Sequence, residues 1–397
     1  MTASTTEYYL NALGICCALG DNPEAVLSNL HAGQAPGMQQ KSGWIPERDV
    51  HVGTVQAALP AWPETLSDFA SRNSRLLAEA ARQIGPDIQR LRQRYGADRI
   101  GVVIGSSTSG IAEGERAIAQ SVSAGSVPSG YHYRQQEIGS PALALARLLE
   151  LSGPACTIST ACTSSARALA SGRNLLQLGL CDAVLVGGAD SLCRLTLNGF
   201  AALDAVSAGR CRPFCVDRDG INVGEGAALF VLSREPGAVR LLGIGESSDA
   251  HHISAPEPEG RGAEAAMRGA LADAGMAPAA VHYINLHGTA TPLNDAMESR
   301  AVHRVFGDQT PCTSTKALTG HTLGAAGGIE AALCWLLLQD ARGEVPAQRF
   351  DTAPDPDLAP IGLLHGPLAL PAAGTGRVML SNSFAFGGNN CSLLLGT

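Results

Sequence analysis

The chain has 397 residues, of which 45% are apolar, 16% charged and 4% aromatic, with a formal net charge of −8. That balance excludes a disordered or coiled-coil chain, and the acidic excess argues against a general nucleic-acid binder, which must neutralise phosphate. There is no run of about 18 apolar residues, and the polar residues 1–9 lack the basic and apolar segments of a secretion signal, so a cytoplasmic protein without a membrane span is expected.

Strand and helix patterns alternate along the chain, which predicts α/β architecture. Residues 8–14 form an opening strand, 74–85 a helix with apolar positions Leu76, Leu77, Ala80, Ala81 and Ile84, and 99–105 (RIGVVIG) a buried strand. A helix follows at 142–151, then strands at 181–190 (CDAVLVGGAD) and 227–233. The second half repeats this order, with a strand at 240–245, a helix at 263–274 and a strand at 281–287. Segments 154–166 (PACTISTACTSSA) and 311–323 (PCTSTKALTGHTL) each show a short strand, a small-residue turn and a helix. Residues 223–232 and 386–395 each lead from glycine into a final strand. These correspondences predict an internal duplication of about 150–200 residues, with an N-terminal half at 1–239 and a C-terminal half at 240–397. Segments 34–70, 204–222 and 342–376 are expected as surface loops.

Eleven cysteines, an odd number, fit a reducing cytosol with buried thiols better than a disulfide framework. Cys211 and Cys215 have the spacing of a metal pair, but no second pair follows, so no metal site is expected. Cys162 lies between a strand and an amphipathic helix, where the helix dipole would favour a nucleophilic thiolate; a buried structural cysteine is the alternative. His287 ends a strand in HGTATP, where α/β folds place their sites, although a satisfied loop histidine fits as well. His321 lies in KALTGHTLGAAG and opens a helix that carries Glu330. Lys316, one of only two lysines against 26 arginines, falls five residues before it and reads either as part of a site or as a surface residue. The turn SNSFAFGGNN near the C-terminus could bring backbone N–H groups to an oxyanion.

Taken together, TACTSS with Cys162, HGTATPLND with His287, TKALTGHTLGAAGGIE with Lys316 and His321, and NSFAFGGNN resemble the elongating β-ketoacyl-[acyl-carrier-protein] synthases of the thiolase superfamily, over essentially the whole chain. The resemblance implies a thiolase-like duplicated five-layered α-β-α-β-α fold. It implies that Cys162 carries the acyl group as a thioester, and that Cys162 and Phe386 supply the N–H groups of an oxyanion hole. His287 and His321 would stabilise the enolate of a decarboxylated malonyl unit. Lys316 and Glu330 would support the histidines, Thr289 and Thr291 would bind pantetheine, and Phe386 would gate the site beside Phe384. Ile138 and Phe200 are candidate acyl-pocket residues. No metal or cofactor is implied beyond the phosphopantetheine of acyl-carrier protein. The expected partners are acyl-carrier protein and a second subunit, either a copy of this chain or a homologous chain-length-factor-like protein, paired through the strand at 181–190.

Two departures from the family pattern stand out. Ala385 and Asn389 occupy positions where the family usually has glycine and threonine. Residues 117–133 hold no Lys or Arg, leaving Arg72, Arg75 and Arg134 as carrier-docking candidates. An initiating synthase or thiolase is disfavoured by Lys316 and His321, and a non-catalytic chain-length factor by Cys162.

Overall fold

The computed structural model describes residues 6–372 and 374–397. Residues 1–5 of the polar N-terminal stretch lie outside the described residues. Ten principal strands carry the architecture. In the N-terminal half they are β1 (Tyr9–Cys16), β2 (Ile100–Gly105), β3 (Ala155–Ile158), β4 (Ala183–Asp190) and β5 (Gly226–Ser233). In the C-terminal half they are β6 (Arg240–Ser248), β7 (Tyr283–Asn285), β8 (Pro311–Thr313), β9 (Val378–Phe384) and β10 (Asn389–Gly396).

Counted outward from the seam between the halves, the strand orders are β1-β5-β4-β2-β3 and β6-β10-β9-β7-β8. The second order is the first shifted by five. In each half the two pairings nearest the seam are antiparallel and the outer two parallel. The duplication expected from the motifs is therefore present strand by strand. One pairing, Tyr9 with Arg240, joins the two sheets at the seam.

Six helices complete the layers: α1 (Arg72–Gln83), α2 (Ser140–Leu148), α3 (Ser164–Gln177), α4 (Arg261–Asp273), α5 (Pro292–Phe306) and α6 (Ala326–Gln339). Helices α1 and α2 cover the outer face of the first sheet, and α4 covers the second with α5 packed beside it. Helices α3 and α6 lie between the sheets. This position explains why α6 is apolar nearly all round (AGGIEAALCWLLLQ), since it has no solvent face. Its close packing depends on small residues: a Cβ on Gly327 would come within 2.8 Å of the Ala166 Cβ on α3. Likewise, a Cβ on Gly105 would meet the Ser165 backbone nitrogen at 2.2 Å, so glycine at the end of β2 lets the start of α3 sit against the sheet.

Three expectations need correction. Segment 34–70 is not merely a loop: Met38–Ile45 and Arg48–Gly53 form a hairpin that pairs with Val223–Gly224 and buries Val50 and Val52. Segment 204–222 is largely interior, with Cys211, Phe214, Cys215 and Ile221 buried. Its backbone is satisfied by side chains, Asn222 Oδ1 accepting from Cys211 N at 2.7 Å and Asp295 Oδ2 from Phe214 N at 2.8 Å. Finally, β4 cannot pair with a second chain, because β2 and β5 flank it on both sides. Among the described residues the unpaired edge of the first sheet is β3, whose strand pairing is with β2 alone.

Candidate active site

Cys162 sits in the turn from β3 to α3. The residue before it, Ala161, holds a left-handed φ of 52°, an unusual conformation for alanine that points to a locally constrained turn. The turn is held from within: Ser164 Oγ donates to the Ala161 carbonyl at 2.6 Å and accepts from Thr160 N at 2.9 Å. The pseudo-equivalent turn after β8 carries Lys316 and His321. His321 lies ahead of the short turn Leu323–Ala325, which in turn precedes α6, so it does not itself open that helix. It is fixed by the segment before Gly224. Its N–H donates to the Asn222 carbonyl at 2.6 Å, and its carbonyl accepts from Gly224 N at 2.9 Å. His287 ends the segment leaving β7.

The three side chains converge. His321 Nε2 is 3.0 Å from Cys162 Sγ. The imidazoles of His287 and His321 meet edge to face with centroids 5.3 Å apart, and Phe384 packs on His287 at 6.0 Å. The Phe386 backbone N–H is near enough to Cys162 to favour the charged form of its sulfur, although it forms no hydrogen bond to it. Lys316 is buried behind the histidines. Its ammonium donates to the His287 carbonyl and to Glu330, and lies 3.4 Å from His287 Nδ1. A cation at Nδ1 leaves that atom as the acceptor, so Nε2 of His287 carries the proton and faces the cavity.

Burial dominates the electrostatics. It pushes the Cys162 thiol up to about 12, against the opposing pull of Lys316 and the Phe386 N–H. The helix dipole therefore does not make Cys162 a resting thiolate, contrary to the expectation from sequence. Burial first, then Lys316, holds both histidines well below the usual imidazole range, so both are neutral. Glu330 is raised to about 7 by burial, with Lys316 opposing.

Cys162, His287, His321, Phe384, Phe386, Phe200, Thr289 and Thr291 all line one cavity of about 270 Å³. Thr289 and Thr291 hydrogen-bond each other through their hydroxyls at 2.9 Å. Phe200 packs against Phe386 with centroids 5.5 Å apart and the rings tilted by 55°. Ile138 is not in this cavity; it is 45% exposed on the molecular surface. The docking candidates are already engaged. Arg72 pairs with buried Glu225, Arg134 pairs with Asp68, and Arg75 donates to the carbonyls of Leu59 and Pro60.

Three carboxylates escaped the sequence reading. Glu298, on α5, accepts the backbone N–H groups of His287 and Gly288 at 2.7 Å each. Asp295 ties α5 to Phe214 and Ala290. Asp190, at the end of β4, accepts from Ser106, Ser107 and Thr108 and from Gly324 N at 2.6 Å, joining the two halves beside His321. The available signal was the spacing of Asp295 and Glu298 on the helix after HGTATP: eight and eleven residues beyond His287, they project from its first two turns.

A thiol, two neutral imidazoles and a lysine–glutamate pair around one apolar cavity suit carbon–carbon bond chemistry on a thioester. The comparisons agree. Residues 16–238 match the N-terminal domain of β-ketoacyl synthases and residues 239–348 the C-terminal domain. The chain is 34% identical over 333 residues to a 3-oxoacyl-[acyl-carrier-protein] synthase 2 from Staphylococcus aureus, covering 79% of each. Among solved structures, it resembles the ketosynthase ApeO in complex with its chain length factor ApeC from Xenorhabdus doucetiae. The TM-score there is 0.95 and the identity 50%, over 100% of this chain and 99% of that one. The ishigamide ketosynthase/chain length factor matches at TM-score 0.87 and 27% identity, over 99% of both chains. With both halves matched by family patterns and the fold shared over its whole length, the chain belongs to the β-ketoacyl synthase family.

Proposed function

We propose that this chain is an elongating 3-oxoacyl-[acyl-carrier-protein] synthase in which Cys162, His287 and His321 do the chemistry. The observation that carries the reading is the contact of His321 with the Cys162 sulfur beside a His287 whose Nε2–H faces the same cavity. The thiol attacks the acyl thioester as its proton passes to His321 Nε2, and the N–H groups of Cys162 and Phe386 hold the oxyanion. The carrier's thiolate leaves with a proton, so His321 returns to neutrality. Malonyl-carrier protein then loses carbon dioxide. The two electrons of the broken C–C bond become an enolate, whose oxygen accepts the Nε2–H of His287. The enolate carbon attacks the Cys162 thioester, forming the new C–C bond and breaking the C–S bond, and the departing Cys162 thiolate takes a proton from water to restore the thiol. The product is a 3-oxoacyl chain two carbons longer. Lys316, neutralised by Glu330, fixes the tautomer of His287, and Thr289 and Thr291, which line the same cavity, would bond the pantetheine amides. The proposed reaction calls for no metal or organic cofactor beyond the carrier's arm. The family chemistry and the lack, among the described residues, of a helix able to cross a membrane fit a cytoplasmic enzyme working in fatty acid, polyene or polyketide elongation.

A second subunit belongs to this reading. The sheet edge β3 is open, and Leu143 is exposed on α2, which packs against it; further apolar side chains are exposed elsewhere in this half. Ile118 (67% exposed) and Val122 (84% exposed) lie one turn apart on the helix Ile111–Ala124, with Tyr133, Ile138 and Leu143 also exposed. Surfaces of this kind mark interfaces. The ketosynthase sharing half its residues with this chain was solved with a chain length factor, which favours a homologous, chain-length-factor-like partner over a second copy. Intact-mass analysis after offering acyl-carrier proteins of graded chain length tests the reaction. An adduct on Cys162 is expected; none on any thioester, with or without co-expressed partner, overturns the proposal.

A further inference from the structure

The turn carrying Phe386 is tied down on two sides. Ala385 is extended (φ −122°, ψ 154°), while Gly387 and Gly388 take left-handed φ of 81° and 75°, so glycine is required at both. On the outer side, Gly387 N donates to the Ile253 carbonyl and Asp249 N to the Gly388 carbonyl, each at 2.8 Å. Asn390 Nδ2 donates to Asp249 Oδ1 at 2.6 Å. On the inner side a single side chain does the work. Arg167, in the first turn of α3 beyond Cys162, donates from Nη1 to Asn389 Oδ1 at 2.9 Å and from Nε to Glu246 Oε1 at 2.6 Å. Asn389 and Glu246 stand on adjacent strands, β10 and β6, with Cys391 opposite Glu246 in register. The guanidinium thus joins the helix that follows the nucleophile to the strand leaving the turn. A threonine at 389 would hold its hydroxyl one bond nearer the backbone, farther from this fork.

We propose that Arg167 is a positioning residue that latches the Phe386 turn shut through Asn389, so that passage to Cys162 requires this hydrogen bond to break. The inference rests on the reading of Phe386 as the gate of the proposed synthase. In the latched state the Phe386 ring packs at a tilt against Phe200 and its N–H lies close to Cys162. A charge-assisted hydrogen bond shifts such an open–closed equilibrium about tenfold or more.

The test reads access to Cys162 and needs no condensation, so failure of the latch is distinguishable from failure of the synthase reading. Full-length protein is alkylated with iodoacetamide and, separately, with N-cyclohexylmaleimide, and modification of Cys162 is followed by peptide mass. Arg167→Ala and Asn389→Ala are expected to raise the ratio of bulky to small reagent about tenfold. The double variant should go no further than either single one. Asn389→Asp turns the hydrogen bond into an ion pair and should lower the ratio below wild type, a reversal that general loosening of the fold cannot give. An unchanged ratio in both alanine variants, or an Asn389→Asp ratio that rises with that of Asn389→Ala, overturns the latch. If Arg167→Ala does not fold, the opposed Asn389 variants decide the question alone.

Discussion

His321 Nε2 stands 3.0 Å from the sulfur of Cys162, and neither side chain has more than a few per cent of its surface in water. A thiol held near 12 by burial has almost no thiolate at neutral pH, so its reactivity depends on this one acceptor. Alkylation of Cys162 by iodoacetamide in wild type should therefore be nearly independent of pH from about 7 to 9, where His321 is neutral and takes the proton as the bond forms. In His321→Ala the rate should be far lower and rise about tenfold per pH unit across that range, following the small thiolate fraction. Because His321 is held well below 6.5, the loss of its base form falls at a pH below that value. A wild-type rate that climbs tenfold per unit would remove His321 as the base.

The two histidines have separable tasks. Cys162→Ala should form no acyl adduct on intact protein. His287→Ala should still be acylated, since His321 and the sulfur are untouched, yet release carbon dioxide from malonyl-carrier protein roughly 10²–10³ times more slowly, the usual cost of one missing oxyanion donor. Labelled malonyl substrate measures this directly, and normal release in His287→Ala would contradict the enolate role.

Glu298 carries a different prediction. Its carboxylate is fully buried and raised to about 7 by desolvation, with the Gly288 and His287 N–H groups opposing. A carboxyl whose folded value lies above its unfolded one binds protons more tightly when folded, so its contribution to stability declines as pH rises from about 4.5 through 7. Glu298→Gln lacks this titration and sets an amide N–H₂ against a backbone donor. The variant should be destabilised, and the difference from wild type should shrink between pH 5 and pH 8 by up to about 3 kcal/mol. Denaturant unfolding at the two pH values checks the sign. A lower kcat at unchanged KM should accompany it, because the carboxylate positions His287 without facing substrate.

The legibility of this chain was uneven for physical reasons. Strands such as Ile100–Gly105 and Ala183–Asp190 are buried on both faces and read as unbroken apolar runs. The catalytic turns stand out because Cys162, His287 and Lys316 are uncommon residues set among small ones. What stayed hidden were relations between distant segments. Segment 204–222 has the polar, Arg- and Asp-rich composition of a loop, and its burial rests on caps from Asn222 and Asp295 together with backbone bonds such as Gly220 N to the Ala290 carbonyl. The strand at 181–190 looks like a long edge needing a partner until β2 and β5 are seen on either side. Ile138 was assigned to the acyl pocket by likeness, whereas it faces away from this chain's cavity. The thiolate expected at the start of α3 was overturned by desolvation, which no local sequence pattern reports.

The same exposed Ile138 leads to the prediction about assembly. Ile118 and Val122 are held on a helix, and Leu143 on α2, which packs against the open edge strand β3. Leaving these side chains in water forgoes ~1.5–3 kcal/mol each that burial would return, and an unpaired edge invites another strand. A homologous subunit offers both an edge strand to continue the sheet and an apolar face to cover the helix. If the partner covers the exposed Ile138 as well, this residue would line a pocket shared between subunits, reconciling its exposure here with an acyl-pocket role. Co-expression with a chain-length-factor-like homologue, followed by light scattering, should give a stable 1:1 dimer. Val122→Asp should dissociate it at micromolar concentration without altering the intact-mass adduct at Cys162, whose turn lies inside this chain. Condensation to long products should fall with dissociation. If wild type is a monomer that elongates to full length alone, neither the interface nor the shared pocket survives. If it forms an active dimer with itself and none with the homologue, the hetero-partner is replaced by a second copy.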